Sequence, residues 1–423
     1  MRKKYITKLI VVSLLVFSVM MFSGLSSLLA SAQEKITLTA WLWGRFPEQI
    51  PMHTNPTFLA KYPNVEIEFV NMPGDALRKK IMIAITTQTE MPNLTATQDW
   101  RAVTYFANNM AEDLTDLIPA DEFMPYKVEV ATYNGRLYGV PLDPAPSVMA
   151  YRTDIYADAG IDIETVNTWK DFLDSGKKIS ALPGDIYPLN LPQEGIWYNL
   201  FEIMMHSYGT SIYDKDLNVI FDSPKMVEAI EMYKELYDSG IASDFGTTRG
   251  AGWTAALTEG KLATIIMACW YVGSAKARAP DSGGSWQLRK TPVGRSGFQT
   301  FQGGTTFFIP KGAEYKELVA EYLMDFHKYG ALPMCQETGI RPSYLPILED
   351  PYFNAPDPYY GGQLAERFIL DQVSKIALGV VYYTPVWAEA RDAISSGLAP
   401  FIAGEITAEE AAANIAAEIE ALE

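Results

Sequence analysis

The stretch "NGRLYGVPLDPAPSVMAYRTDIYADAGID" (Asn134–Asp162) divides the chain into two units. A glycine turn at Gly135 and an apolar strand run into three prolines, Pro141, Pro144 and Pro146. A second strand and a helix then begin. Proline fixes its own φ and biases the residue before it toward extended backbone, so the segment reads as a stiff passage between units. A length of 423 residues exceeds one ordinary core and predicts two domains, interleaved if the chain passes between them more than once.

Upstream of that passage, "KITLTAWLWG" (Lys35–Gly44) alternates and reads as a strand. "TFLAKYP" ends a helix at Pro63, "NVEIEFVNMP" is a second alternating strand, and "DALRKKIMIAITTQ" is a helix. "MPNLTATQDW" reads as a short strand and loop. The order β-α-β-α-β predicts an α/β unit with a mainly parallel sheet, in which ligands gather at the carboxyl ends of the strands. Trp43, Asp99 and Trp100 lie at such ends.

Downstream, "TWKDFLDSGKKIS" is an amphipathic helix with Thr168 as its cap, and "PKMVEAIEMYKELYDSG" is another with a glycine stop. "LTEGKLATIIMACWY" (Leu257–Tyr271) is a helix end followed by an apolar strand that stops at two large rings. "TAEEAAANIAAEIEALE" opens with a capping box.

Composition excludes several functions. The formal net charge is −17, and the first 32 residues carry four basic and no acidic side chains, which leaves −21 for the rest. Such a chain is repelled by phosphate backbones, and no nucleic-acid partner is expected. Only His53, His206 and His327 are present, without helical pairing or nearby cysteine, so no metal site or cofactor is expected. No nucleophile elbow, P-loop or dinucleotide fingerprint occurs. The 51 carboxylates permit a glycosidase pair without selecting one. Aromatic residues are plentiful, with 9 Trp and 24 Tyr. Cys269 and Cys335 could form a disulfide or remain buried thiols.

The first residues read as an export signal. "MRKKYITK" is basic, "LIVVSLLVFSVMMF" is apolar, and Ala30-Ser31-Ala32 is a small-residue cleavage site before Gln33. A retained membrane anchor is the rival reading, for which the apolar run is short. The mature protein is expected outside the cytoplasmic membrane, in the periplasm or at the cell surface.

The opening stretch, "TWKDFLDSGKKIS", "LTEGKLATIIMACWY", "GGTTFFIPKGAEYKELVAEYLMDF", "GIRPSYLPIL" and "AISSGLAPFIAGEITAEEAAANIAAEI" occur in the order in which similar segments stand in extracellular solute-binding proteins of ABC transporters. The chain resembles that family nearly end to end. Within it, the chain is similar to the carbohydrate-uptake binders of maltose and lactose type. The resemblance implies two α/β lobes of the periplasmic-binding-protein kind (class II type), an interlobe hinge and a ligand cleft. It implies a signal peptide over 1–32, a first lobe of 33–142 plus 293–335, and a second of 143–292 plus 336–423. It also implies a monomeric, non-enzymatic receptor that captures a mono- or oligosaccharide and hands it to a membrane permease. The alternatives are a receptor for a non-sugar such as a polyol phosphate, clamped by Arg45 and Arg341, and a secreted glycosidase.

Sugars present a C–H face to aromatic rings and a rim of hydroxyls to polar side chains. By resemblance, Trp270 is a stacking ring at the end of a second-lobe strand, with Tyr271 beside it; a hinge-core role is the alternative. Trp387, four residues before an arginine, matches another stacking position, against packing under the last helices. Trp197, or its neighbour Tyr198, stands at a helix start where the family places a ring. Trp253 sits in a glycine-rich stretch, as a ligand ring or a loop anchor. Trp43, nearer the strand end than Trp41, is the first-lobe ring, and Arg45 follows it. Trp100 joins them at the next strand end. Asp99 would accept from hydroxyls or cap the next helix. Asp143 would reach the ligand or brace the hinge. Gly303 and Gly304 would let backbone approach the sugar or form a plain turn. Arg341 would contact hydroxyls or bridge the lobes.

Overall fold

The computed structural model describes residues 34–192, 198–248, 250–294, 300–376 and 381–422. The expected signal peptide (1–32) and Trp197 lie outside the described residues. Among the described residues, no helix is long and apolar enough to cross a membrane.

Eight strands form the two main sheets: β1 (Ile36–Leu42), β2 (Val65–Asn71), β3 (Leu94–Gln98), β4 (Val140–Asp143), β5 (Ser147–Arg152), β6 (Thr264–Ala268), β7 (Trp286–Arg289) and β8 (Thr305–Phe308). The first sheet has the order β2-β1-β3-β8-β4. β1 pairs parallel with β2 and β3, and β8 runs antiparallel to both β3 and β4. The parallel part follows from the β-α-β order. β8 arrives from far down the chain and reverses the direction. The second sheet, β6-β5-β7, is antiparallel throughout.

These directions bring the working ends together. β1, β3 and β4 end, and β8 begins, at one edge of the first sheet, where Thr305 lies opposite both Gln98 and Asp143. In the second sheet Ser147 and Ala268 pair at the edge nearest the passage. The proline passage joins the two edges and is flanked on both sides. Ser147 N–H donates to Thr300 O at 2.8 Å and Gln302 N–H to Ala145 O at 2.9 Å. Ser343 N–H donates to Leu142 O at 2.9 Å, so three stretches run side by side between the sheets.

Each sheet is covered by helices with one apolar face. In the helix Trp169–Ser180, the buried residues Trp169, Phe172, Leu173, Gly176 and Ile179 recur every three or four positions. Thr168 and Asp171 close the capping box at its start. The terminal helix Ala408–Glu420 has the same construction, with Thr407 and Glu410 as the box.

Four further helices position the site: α1 (Asp99–Ala107), α2 (Tyr198–Ser207), α3 (Cys269–Arg278) and α4 (Trp387–Gly397). Two of them depart from the sequence reading. The strand of "LTEGKLATIIMACWY" stops at Ala268, and Cys269, Trp270 and Tyr271 form the first turn of α3. Likewise Asp99 begins α1 directly after β3, with no loop between them.

Candidate functional site

A cavity of about 980 Å³ opens between the facing sheet edges. It collects nine of the expected residues: Trp43, Arg45, Trp100, Asp143, Trp270, Tyr271, Gly303, Gly304 and Arg341.

Trp43 follows β1 directly and is half-buried, its ring edge-on to Phe46 at 5.8 Å. Trp41 turns inward instead, under the Lys80 ammonium at 4.1 Å. Across the cavity, Trp270 and Tyr271 stand in the first turn of α3 with centroids 5.7 Å apart and planes tilted by 39°. Gly303, at φ 74°, lies against Trp270, whose Cη2 would be 3.5 Å from an added Cβ. Arg45 is exposed at the cavity mouth.

Asp143 ends β4 and is 8% exposed. Burial raises its carboxyl to about 6, and neighbouring Asp99 adds to the rise while Lys127 and Thr305 oppose it. Its Oδ1 is buried without a partner among the described residues, and so is Oε1 of Gln302. Both residues line the cavity. A buried acceptor left unmade is costly, so such atoms mark where a donor is wanted.

Gly304 lines the cavity for a different reason from the one expected. It adopts φ 119°, and a Cβ there would stand 2.4 Å from Asp99 Oδ2 and 2.8 Å from Lys127 Nζ. The glycine is imposed by the ion pair behind it.

Asp99 does not reach the cavity. It is fully buried, with Lys127 Nζ donating at 2.6 and 2.5 Å to its two oxygens and the Thr306 hydroxyl donating at 2.9 Å. Burial pushes its carboxyl above the usual range and the Lys127 ammonium pulls it back. It is a brace between β3, β8 and the helix Pro125–Val130.

Two rings are likewise corrected. The glycine-rich stretch around Trp253 is a helix, Ala251–Thr258, and the ring is 1% exposed in a core with Leu257 and Trp286. Trp387 is fully buried, edge-on to Tyr383 at 4.7 Å and tilted on Tyr213 at 6.0 Å. As the first residue of α4 it turns into the core, and the side chain that reaches the cavity is Arg391, four residues on. Arg341 borders the cavity with its guanidinium committed. Nη2 donates to Glu366 Oε1 at 2.8 Å, and Nε lies 2.6 Å from the other oxygen in the same ion pair. Both cysteines are free and buried, the Cys269 thiol 3.6 Å from Pro144 O.

The sequence reading missed Glu202, Gln302, Asn199 and Arg391, which also line the cavity. Glu202 is the one carboxylate of α2, and that isolation was its signal. It is 4% exposed, burial holds its carboxyl above the usual range, and Gln302 Nε2 donates to it at 3.3 Å. Arg391 Cζ lies 4.1 Å from the Tyr198 ring centre and 4.6 Å from that of Trp100. Arg101 Cζ lies 3.9 Å from the same Trp100 ring. Two cations therefore crowd a ring expected to face a sugar.

With this geometry in place, comparison with known proteins is decisive. Residues 56–344 match the family of bacterial extracellular solute-binding proteins. The chain belongs to that family. It is similar to a lactose-binding protein of Rhizobium radiobacter, 25% identical over 81% of this chain and 84% of the relative. It is similar as well to an arabinooligosaccharide-binding protein of Halalkalibacterium halodurans, 23% identical over 77% and 76% of the two chains. Among solved structures it resembles the GacH receptor of Streptomyces glaucescens, with a TM-score of 0.76 and 19% identity over 92% of this chain and 99% of that one. The fold is thus the two-lobe periplasmic-binding-protein type. The family consists of extracytoplasmic binding proteins rather than enzymes.

Proposed function

We propose that this solute-binding protein captures a neutral sugar in the cavity between its lobes and delivers it, as a monomer, to the permease of an ABC transporter. One observation carries the reading: rings from both sides of the cavity, Trp43 opposite Trp270 and Tyr271, flank buried acceptors on Asp143 and Gln302 that lack donors. A saccharide supplies both a C–H face and hydroxyl donors. The sugars named for the similar lactose- and arabinooligosaccharide-binding proteins support the same class.

A phosphate-bearing ligand fits less well. Of the two arginines expected to clamp a phosphate, Arg341 is held by Glu366, nearby Lys276 is held by Asp357 at 2.7 Å, and Arg45 stands exposed at the mouth. Of the lobe division proposed from sequence, 33–142 with 293–335 against 143–292 with 336–423, the first boundary is supported by β4 ending at Asp143 and β5 starting at Ser147. Tyr344 packs on Phe123 and His327 of the first core, which favours a last crossing after Tyr344. Export through the 1–32 signal would place the receptor in the periplasm or on the cell surface.

A melting-temperature screen against lactose, arabinooligosaccharides, maltooligosaccharides and polyol phosphates tests the reading, because a ligand of the folded state raises the transition. A sugar is expected to raise it and to be recovered intact by chromatography. A shift with polyol phosphates alone, or recovery of cleaved sugar, would replace this reading with one of its rivals.

A further inference from the structure

The cavity lining is unevenly exposed. Arg45, Lys276, Arg278 and Glu337 face solvent. Trp100, Asn199 and Arg391 are half-buried and Glu202 and Gln302 almost fully buried. This inner group is braced across the lobes. Trp100, from the first-lobe helix α1, packs against the second-lobe core. Arg391, from α4, lies over both Trp100 and Tyr198. Behind them the Thr104 hydroxyl of α1 donates to Pro385 O at 3.0 Å, just before α4 begins.

We propose that Arg391 and Trp100 form a stop that makes the cleft blind, so that the protein reads one terminus of a saccharide and lets the rest of the chain extend toward the mouth. This rests on the sugar reading above. The stop sits beside the polar side chains of this inner group. Gln302 Nε2 donates to Asn199 O at 2.9 Å and approaches Glu202, while its Oε1 stays free to accept. A terminal sugar residue, which carries one more hydroxyl than an internal residue, matches such a polar lining. An internal residue would need an exit for the chain on both sides, and the Arg391–Trp100 contact occupies one of them. Arg391 is thereby a specificity-determining residue, through the length and end of the chain it admits.

The test uses the mature protein and calorimetric titration with linear lactose-, arabinan- and maltose-type oligosaccharides. The best binder is then blocked at one terminus at a time, by a benzyl glycoside at the reducing end, which keeps the ring closed, or a benzyl ether on the non-reducing terminal residue. Wild-type protein is expected to tolerate one block and reject the other. Tolerance of both, or of neither, overturns the blind end while leaving the sugar reading standing. Failure of every unmodified sugar to bind removes the sugar reading itself. Arg391→Gln and Trp100→Ala are each expected to recover about tenfold or more in affinity for the rejected form. A uniform loss on blocked and unblocked sugars alike would make Arg391 a plain contact and overturn the stop; the end-blocking result on wild-type protein stands even if one variant fails to fold.

Discussion

Two junctions in this molecule share a local plan. β3 runs into α1 through Gln98-Asp99-Trp100, and β6 runs into α3 through Ala268-Cys269-Trp270. In each, a strand ends without a loop, the next residue is buried, and a tryptophan follows in the first helical turn. Their surroundings then diverge. Asp99 is a buried charge tied to Lys127 and Thr306, and its tryptophan is crowded by Arg101 and Arg391. Cys269 carries no charge, because burial pushes its thiol up to about 11, and its tryptophan is half-buried on the cavity wall beside Tyr271 and Gly303. The same pattern thus gives a structural brace with an occupied ring on one side and an available ring on the other. A tryptophan at a strand end is a platform only when its neighbours leave the face open.

The comparison breaks most visibly in stability. Lys127→Met strands the Asp99 carboxylate and is expected to cost ~3–5 kcal/mol, against roughly 1 kcal/mol for Cys269→Ala, both read from urea unfolding. Adding Asp99→Asn to Lys127→Met should recover part of the loss. Equal costs for the two junctions would show that the charge at the first is not what distinguishes it.

Gly304→Ala comes next. Its φ of 119° and the 2.4 Å approach to Asp99 Oδ2 predict a loss on the order of 1–3 kcal/mol from backbone strain alone. Gly303→Ala meets only ordinary contact at the Trp270 ring, and its φ of 74° costs ~1–2 kcal/mol. Unfolding midpoints in the reverse order would mean that the ion pair does not dictate the glycine.

In binding the available ring of the second junction carries the effect. Trp270→Ala is expected to weaken sugar affinity by roughly 5- to 150-fold, ~1–3 kcal/mol. Trp169→Ala, whose indole is buried and bonded to Ser207 Oγ at 2.8 Å, should lower stability and leave affinity unchanged. Titration at a temperature where both variants are folded decides it, and matching affinities would remove Trp270 from the site.

The smallest effect is a pH slope. His206 and His327, one in each half, are buried and held neutral, both lowered to about 3 by burial. Above pH 6.5 they contribute no pH dependence. As pH falls from 6.5 toward 3, the unfolded chain takes up their protons first, and each costs up to ~1.4 kcal/mol of stability per pH unit. Asp143, raised from 3.8 to about 6, runs the other way: between those values the folded state binds the proton first, and acidification stabilises. His327→Phe should therefore flatten the acid-side loss, and Asp143→Asn should steepen it, in urea midpoints taken between pH 7 and 4. An unchanged slope in the histidine variant would show that His327 takes up its proton in the fold as readily as in the unfolded chain.

The sequence by itself determined the elements and their order. Alternation in β1 and β2, the capping boxes at Thr168 and Thr407, and the proline passage are local facts, set by backbone sterics and side-chain periodicity. They yielded two α/β units and a family resemblance, and they brought nine candidate residues to one cavity. Tertiary structure decided which side chains the neighbours leave free. Asp99 read like a ligand residue from its type and strand-end position, and Trp387 from the resemblance of its local sequence, and neither signal carries the surroundings. Lys127, 28 positions from Asp99, and Tyr213, far from Trp387 in the chain, claimed them instead. Arg391 could not be read as a neighbour of Trp100, because that contact exists only once α1 and α4, from opposite ends of the chain, have packed together. Burial and charge neutralisation are properties of the assembled lobes, and a local pattern carries neither.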